Sequence, residues 1–360
     1  MISICYLIMS FGVIRLIVAM VNFFTFRYLP KKALNNSTPK VSILIPARNE
    51  EQNIGNLLSD LKTIDYKNLE IIVFNDNSTD KTEEVVNQFS EIKLINGTYL
   101  PNNWLGKNYA CHQLSTYANG DYYLFLDADV RVNNKLIQRA LSHIKKHNLR
   151  LLSIFPKQLF ASKGEKISVP LMNWILLNLL PLIFVRILKN KAFSAANGQF
   201  MMFDAKTYDS VLPHKNFKNH RVEDIVTCKH YKGLGHKVDT LLGDREITCR
   251  MYNNFRDASE GFTKNIFQFF GNSKLLTVFF GILTSIIPLA VFWFGNAFLG
   301  FYYLATIVLI RIFVSLSSKQ SVIENIFFMA PQHFVFIYII LKGLISNRRK
   351  VLVWKERNIL

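Results

Sequence analysis

The chain has 360 residues, half of them hydrophobic, and 43 lysines and arginines against 25 aspartates and glutamates give it a formal net charge of +18. That length holds one large domain or two small ones, and the positive mean hydropathy is high for a soluble protein. The basic residues lie beside apolar segments and form no stripe with interleaved aromatics, which argues against nucleic acid and for anionic lipid headgroups as the partner. Four cysteines (Cys5, Cys111, Cys228, Cys249) without CxxC spacing argue against a zinc site or a disulfide scaffold.

In chain order, residues 2–26 carry one charge, Arg15, over a length that crosses a bilayer. A cleaved signal peptide needs its basic residues first. Here Arg27, Lys31 and Lys32 follow the apolar run, so residues 1–27 read as an uncleaved anchor. Lysine and arginine stay on the cytoplasmic side, which puts the N-terminus outside and the chain from residue 27 onward inside.

Residues 40–265 then alternate strand and helix patterns. "KVSILIPARN" is an apolar strand, followed at helical spacing by Ile54, Leu57, Leu58, Leu61 and Ile64. "LEIIVFNDNS" is a second strand, with Ser78 or Thr79 predicted to cap the helix after it. "IKLING" is a third strand, "GKNYACHQLSTYA" a helix and "DYYLFLDADV" a fourth strand. The series implies a parallel α/β sheet, whose ligands bind beyond the carboxyl ends of the strands. Asn49, Asp76 and Asp127 all stand at such ends.

Residues 165–188, "EKISVPLMNWILLNLLPLIFVRIL", are nearly as apolar as a membrane span but carry Pro170, Pro181, Asn173 and Asn178. Two readings compete: helices lying in the membrane interface near an acceptor's entry route, and a buried helix pair of the core. Three further apolar runs (276–294, 297–315 and 325–345) fall within a C-terminal membrane region at 272–346, before the basic tail 347–360. A cytoplasmic tail requires an even number of crossings, so one of the three is interfacial or re-entrant. The expectation is two to three C-terminal membrane helices.

The chemistry concentrates at the strand ends. Asp127 and Asp129, one residue apart after five apolar residues, are hard oxygen ligands suited to Mg²⁺ or Mn²⁺ bridging a diphosphate. A strand that apolar does not end in two acids without a partner for them. Asp76 is suited to a base or ribose. In "PARNE", Arg48, Asn49 and Glu50 stand where either a ligand contact or a plain helix start fits. "AANGQFMMF" puts Gly198 and Gln199 where a backbone can approach a ligand closely. Glu223-Asp224 opens a helix and offers a carboxylate base, though helix N-termini favour acids in any case. Arg250, Arg256 and Lys264 are cations suited to a departing diphosphate.

The ordered set "VSILIPARNEEQNI…FNDNSTDKT…FLDADV…GQFMMF…VED" resembles the family 2 glycosyltransferases, which use the GT-A fold for nucleotide-diphosphate sugars. "NNWLGKNYACHQ", "RMYNNFRDASEGFTKN" and the ending "VLVWKERN" resemble a narrower branch, the hopanoid-associated and 4,4'-diaponeurosporenoate glycosyltransferases. The resemblance implies that Pro46, Ala47, Asn49 and Glu50 line the nucleotide pocket and that Asp76 binds uracil or ribose. It puts Lys107 by the diphosphate, Asp127 on ribose or sugar, Asp129 on the metal, and Asp224, with Glu223 beside it, at the catalytic base. The Q-x-x-R-W motif of processive synthases is absent, with "CRMY" in its region, so transfer of a single hexose is expected.

The implied protein is a multi-pass enzyme of the cytoplasmic membrane, its catalytic domain facing the cytoplasm. It would take a UDP-sugar and a lipid-soluble acceptor such as a carotenoid acid or a carotenoid or hopanoid hydroxyl. Polyprenyl phosphate or a glycerolipid is the alternative acceptor. A non-catalytic membrane protein with a degenerate nucleotide site is the alternative of another class.

Overall fold

The computed structural model describes residues 2–25, 28–30, 38–286, 288, 291, 293, 297–349, 353–354 and 357–358. The basic cluster Arg27, Lys31 and Lys32, and most of the basic tail with its "VLVWKERN" ending, lie outside the described residues. The chain divides into two compact units: residues 27–157 with 182–250, and residues 1–26 with 158–181 and 251–360.

The first unit is built on a seven-stranded sheet. Its strands are β1 (Val41–Ala47), β2 (Leu69–Asn75), β3 (Lys93–Asn96), β4 (Tyr122–Leu126), β6 (Leu151–Phe155), β8 (Phe200–Asp204) and β9 (Val238–Leu242), in the order β3-β2-β1-β4-β8-β6-β9. The first four are parallel, β8 runs antiparallel to β4 and β6, and β9 is parallel to β6. The short β5 (Val130–Val132) pairs antiparallel with β10 (Ile247–Cys249), and β7 is Lys157–Gln158. Both faces of a central parallel strand are covered, which is why "VSILI" and "YLFL" are apolar without alternation. The helix α2 (Ile54–Lys62) buries Ile54, Leu57, Leu58 and Leu61, one stripe of a 3.6-residue period.

Register fixes the site edge. Ala47 sits level with Asn75, and Leu44 with Phe125, so β1 and β2 end level, β4 ends slightly earlier, and Arg48, Asp76 and Asp127 are released along one edge. In β8, Phe200 pairs with Leu126, which brings Gln199 against Asp127. The remaining helices of this unit are α3 (Thr82–Val86), α4 (Gly106–Tyr117), α5 (Leu136–His147), and, beyond residue 181, α8 (Ile183–Ile187), α9 (Ala205–Val211), α10 (Pro213–Asn216) and α11 (Glu223–Gly233). The expected cap of α3 is not formed. Ser78 and Thr79 are engaged by Asn49 instead, and the Asp80 carboxylate accepts from the Thr82 N–H at 3.0 Å.

The second unit is helical. It contains α1 (Ile2–Thr25), α6 (Lys163–Ser168), α7 (Pro170–Leu179), α12 (Phe255–Asn265), α13 (Lys274–Gly281), α14 (Ala297–Ser317), α15 (Val322–Phe327) and α16 (Met329–Arg349). Among the described residues, three helices are long and apolar enough to cross a membrane: Cys5–Thr25, Ala297–Ser317 and Met329–Arg348. The C-terminal candidates 297–315 and 325–345 thus become α14 and α16. The third, 276–294, begins as α13 and a π-helical turn at Ile282–Ile286, bent by 105° from the preceding helical segment Phe255–Phe270. The described residues thus hold two full-length C-terminal candidates and one bent pair, Phe255–Phe270 with Lys274–Ile286.

The apolar run at 165–188 is divided between the two units. Its α7 is almost wholly buried and packs on α1 and α14, whereas α8 packs on β9. Pro181 ends the first part, since it cannot continue a helix. Ser162 and Glu165 form a reciprocal capping box that starts α6. Asn22 of α1 donates to the carbonyls of Leu177 and Leu180, both at 2.8 Å, closing the C-terminus of α7.

Candidate active site

At the carboxyl edge of the sheet, Lys107 near the start of α4 extends its ammonium to 2.7 Å from Asp127 Oδ1 and 3.5 Å from Glu223 Oε1. Among the described residues Lys107 is the only ion-pair partner of either acid. Burial opposes the Lys107 charge, but Asp127 and then Glu223 hold its pKa well above the usual range. Gly198 leaves room for the approach: a Cβ there would lie 2.9 Å from Lys107 Nζ and 3.2 Å from Glu223 Oε1, and the ends of both side chains would have to give way. The Gly198 N–H donates to Asp224 Oδ2 at 3.0 Å, and the Ile225 N–H donates to Asp224 Oδ1 at 2.7 Å. One glycine thus lets a lysine and two acids meet.

Two carboxyls are hard to ionise. Asp129 is pushed up to about 7 by burial, then by the charges of Asp127 and Glu50. Asp224 is likewise pushed up to about 7, by burial and then by Glu223. Gln199 Nε2 lies 3.4 Å from both Asp129 oxygens and 2.9 Å from Cys249 Sγ. Burial, and then the Asp129 charge, keeps the Cys249 thiol protonated.

The other strand ends are more occupied with one another. Asn49, in the left-handed region at φ 51°, accepts from the Thr79 N–H at 2.9 Å while its own N–H donates to Ser78. The Glu50 N–H donates to Thr82 Oγ1, and its carboxylate accepts from Asn53 Nδ2. Arg48 donates to the carbonyls of Asp76 and Asn77. Asp76 is buried, its N–H donating to the Ala47 carbonyl at 2.8 Å. Pro46 is half-buried and Ala47 buried at the end of β1, and Arg250 is exposed just past β10. Arg256, in the helical unit, is exposed and pairs with Glu260.

So the fold gathers Asp127, Asp129, Lys107, Gly198, Gln199, Glu223 and Asp224 into one cluster, with Glu50 close enough to act on Asp129. Asp76 and Asn49 line the same edge from β2 and β1. Cys249 was not legible as a site residue. Its only signal is the pairing of β10 with the strand that follows Asp129, where Cys249 faces Val130.

A divalent cation suits this donor set. Among the described residues no group of three or more His, Cys, Asp or Glu side chains is placed to hold a metal ion by itself. Mg²⁺ and Mn²⁺ do not need one, since they take one or two carboxylates and complete their shell with water and phosphate oxygens. The reluctance of Asp129 to ionise is what an adjacent divalent charge would relieve.

A mostly parallel sheet with paired acids and a lysine at its carboxyl edge, in a chain that also carries membrane-length helices, fits a nucleotide-sugar type of α/β domain. Residues 42–181 match the family model for glycosyl transferase family 2. The chain is 31% identical over 252 residues to a 4,4'-diaponeurosporenoate glycosyltransferase of Staphylococcus haemolyticus, covering 67% of this chain and 65% of that protein's length. It is 28% identical over 276 residues to the protein of the same name in Staphylococcus aureus strain USA300, covering 72% and 71%. Among solved structures it shares its fold, with a TM-score of 0.55 and 13% identity, with a mannosyltransferase from Pyrobaculum calidifontis in complex with GDP-Man and Mn²⁺. That match covers 94% of this chain and 98% of the other. Residues 42–181 thus carry a family 2 glycosyltransferase domain, and the chain is similar to the diaponeurosporenoate glycosyltransferases.

Proposed function

We propose that this protein is a membrane-bound inverting glycosyltransferase that moves one hexose, glucose, from a UDP-sugar to a membrane-embedded terpenoid. The observation that carries the reading is the convergence of the Asp127/Asp129 and Glu223/Asp224 pairs on Lys107 at the carboxyl edge of the sheet. The names of the relatives support a carotenoid acid as acceptor, with a carotenoid or hopanoid hydroxyl as the neighbouring possibility.

In this reading Asp76 receives the nucleoside, with Pro46, Ala47, Asn49 and Glu50 around it. Asp129 and Asp127 would hold Mg²⁺ or Mn²⁺, which when bound supplies positive charge to the diphosphate. The Lys107 ammonium, with Arg250, faces the same phosphates. Gln199 fixes the Asp129 carboxylate and Gly198 that of Asp224. The acceptor oxygen attacks the anomeric carbon from the face opposite the diphosphate, the bond to the phosphate oxygen breaks, and UDP leaves with the bonding electrons. A hydroxyl acceptor passes its proton to Asp224, whose pKa near 7 suits a base at neutral pH. An acid acceptor, with a pKa of about 4, arrives already ionised and needs no base.

The sheet unit would face the cytoplasm, where nucleotide sugars are supplied, with α1, α14 and α16 spanning the cytoplasmic membrane. The test is hexose transfer from UDP-glucose by the detergent-solubilised chain, with Mn²⁺, to a polyene acid and to the corresponding alcohol. Product from wild type and none from Asp129→Ala supports the reading, and indistinguishable yields with every acceptor would falsify it. With Asp224→Asn, transfer to the acid survives and transfer to the alcohol falls by about a hundredfold or more.

A further inference from the structure

Arg15 is the lone charge of α1 and Arg311 sits within α14. Both are buried, 3% and 2% exposed, in helices of membrane length. Their guanidinium carbons lie 5.0 and 4.8 Å from the centre of one ring, the indole of Trp174 on α7. Among the described residues no carboxylate stands within ion-pair distance of either. Their hydrogen-bond partners are neutral: Arg15 Nε donates to Asn178 Oδ1 at 3.1 Å, and Arg311 to Gln332 Oε1 at 2.6 Å and His333 Nε2 at 3.3 Å.

These acceptors are held in place from behind. Asn178 Nδ2 donates to the Trp174 carbonyl, Gln332 Nε2 to the Lys166 carbonyl at 3.0 Å, and His333 Nδ1 pairs with Ser285 at 2.9 Å. With Nε2 accepting from Arg311, the His333 ring is neutral, so the cluster carries two positive charges. Of five N–H donors on each guanidinium, Arg15 has one and Arg311 two engaged among the described residues.

Two like charges in a helix bundle are costly, and an arginine inside a membrane segment ordinarily faces a counter-charge or a ligand. The indole quadrupole offsets part of that cost but supplies no net negative charge. A planar or tetrahedral oxyanion supplies it, in the forked geometry that guanidinium groups match best. Arg311 is six residues, about 9 Å, before the end of α14, within reach of a headgroup drawn inward from the interface. We infer that Arg15 and Arg311, on the Trp174 platform, form a binding site for a lipid-borne oxyanion, the carboxylate or phosphate of an amphiphile. This site is built from residues other than those of the sugar-donor site and does not rest on the transferase reading.

The test uses the full chain in phosphatidylcholine nanodiscs without donor or metal, so its result is independent of catalysis. One arm compares all-trans-retinoic acid with all-trans-retinol, probes that differ in charge and little in shape. The acid is expected to bind about tenfold tighter than the alcohol and to raise the melting temperature. The other arm reads by native mass spectrometry whether phosphatidylglycerol is retained over phosphatidylcholine from mixed discs, which separates a phospholipid headgroup from a polyene carboxylate. Arg15→Gln and Arg311→Gln should each remove the preference in whichever arm shows it, and Arg311→Lys should keep part of it. If wild type shows no preference for the charged probe in either arm, the site does not exist, a result that needs no variant to fold. Equal preference in the wild type and both glutamine variants would overturn it as well.

Discussion

The two units of this chain bury charge in opposite ways. The sheet unit pairs Lys107 with Asp127 and Glu223 and sets a second acid, Asp129 or Asp224, beside each of them, so acids outnumber the lysine there. The helical unit collects two arginines around a tryptophan with no acid beside them among the described residues. Buried charge is tolerated when it is paired, and in neither place does the protein finish the pairing. On the readings proposed above, the contrast is one of missing sign: a divalent cation would complete the acidic cluster and an oxyanion the basic one.

The largest expected effect is on the acid side. Asp129→Ala, which removes the carboxylate proposed to hold the metal, should lower kcat/KM for transfer by about a thousandfold, read with saturating Mn²⁺. A tenfold loss or less would break the comparison, because the excess charge would then have no functional cost. Gly198→Ala comes next. Its new Cβ would displace Lys107 from between Asp127 and Glu223, and a loss of about tenfold to a hundredfold in kcat with folding retained is the expected reading.

The pH dependence sharpens the same point. Asp129 and Asp224 have folded-state values raised to about 7, above the ordinary 3.9 of an aspartate. Their contribution to stability is therefore full below about pH 4 and is lost as the pH rises through 7. The metal-free protein should melt at a lower temperature at pH 8 than at pH 6, and saturating Mn²⁺ should shrink that difference. A metal-free melting temperature that rises over this interval would count against uncompensated acids. The smallest effect is a control outside both clusters: Ser162→Ala breaks the capping box of α6 and should cost about 1 kcal/mol, measured by chemical denaturation with the Mn²⁺ response unchanged.

Much of the sheet unit was legible because its signals are local. Each of the first four strands is a short apolar run ending in polar residues, and parallel alignment then puts Asp76 and Asp127 on one edge. What was not legible depends on partners distant in sequence. The antiparallel β8 that delivers Gln199 to Asp127 is set by tertiary pairing, and so is the approach of Cys249 to Asp129. Asn49 reads as a ligand contact, yet its side chain is engaged by Thr79 in the turn. Arg15 is visible in the sequence as a solitary charge, but its surroundings come from residues 174 and 178, on a segment whose apolarity fits several placements.

That last separation has a consequence for how the protein is made. Arg15 and Asn22 find their partners 163 and 155 residues further along the chain. At synthesis rates of about 5–20 residues per second, α1 spends roughly 10–30 s in or near the bilayer before α7 exists. During that interval its guanidinium and amide must be satisfied by water, headgroups or the insertion machinery. The first helix is therefore inserted provisionally, and its final seat is assembled only after most of the sheet unit has emerged from the ribosome.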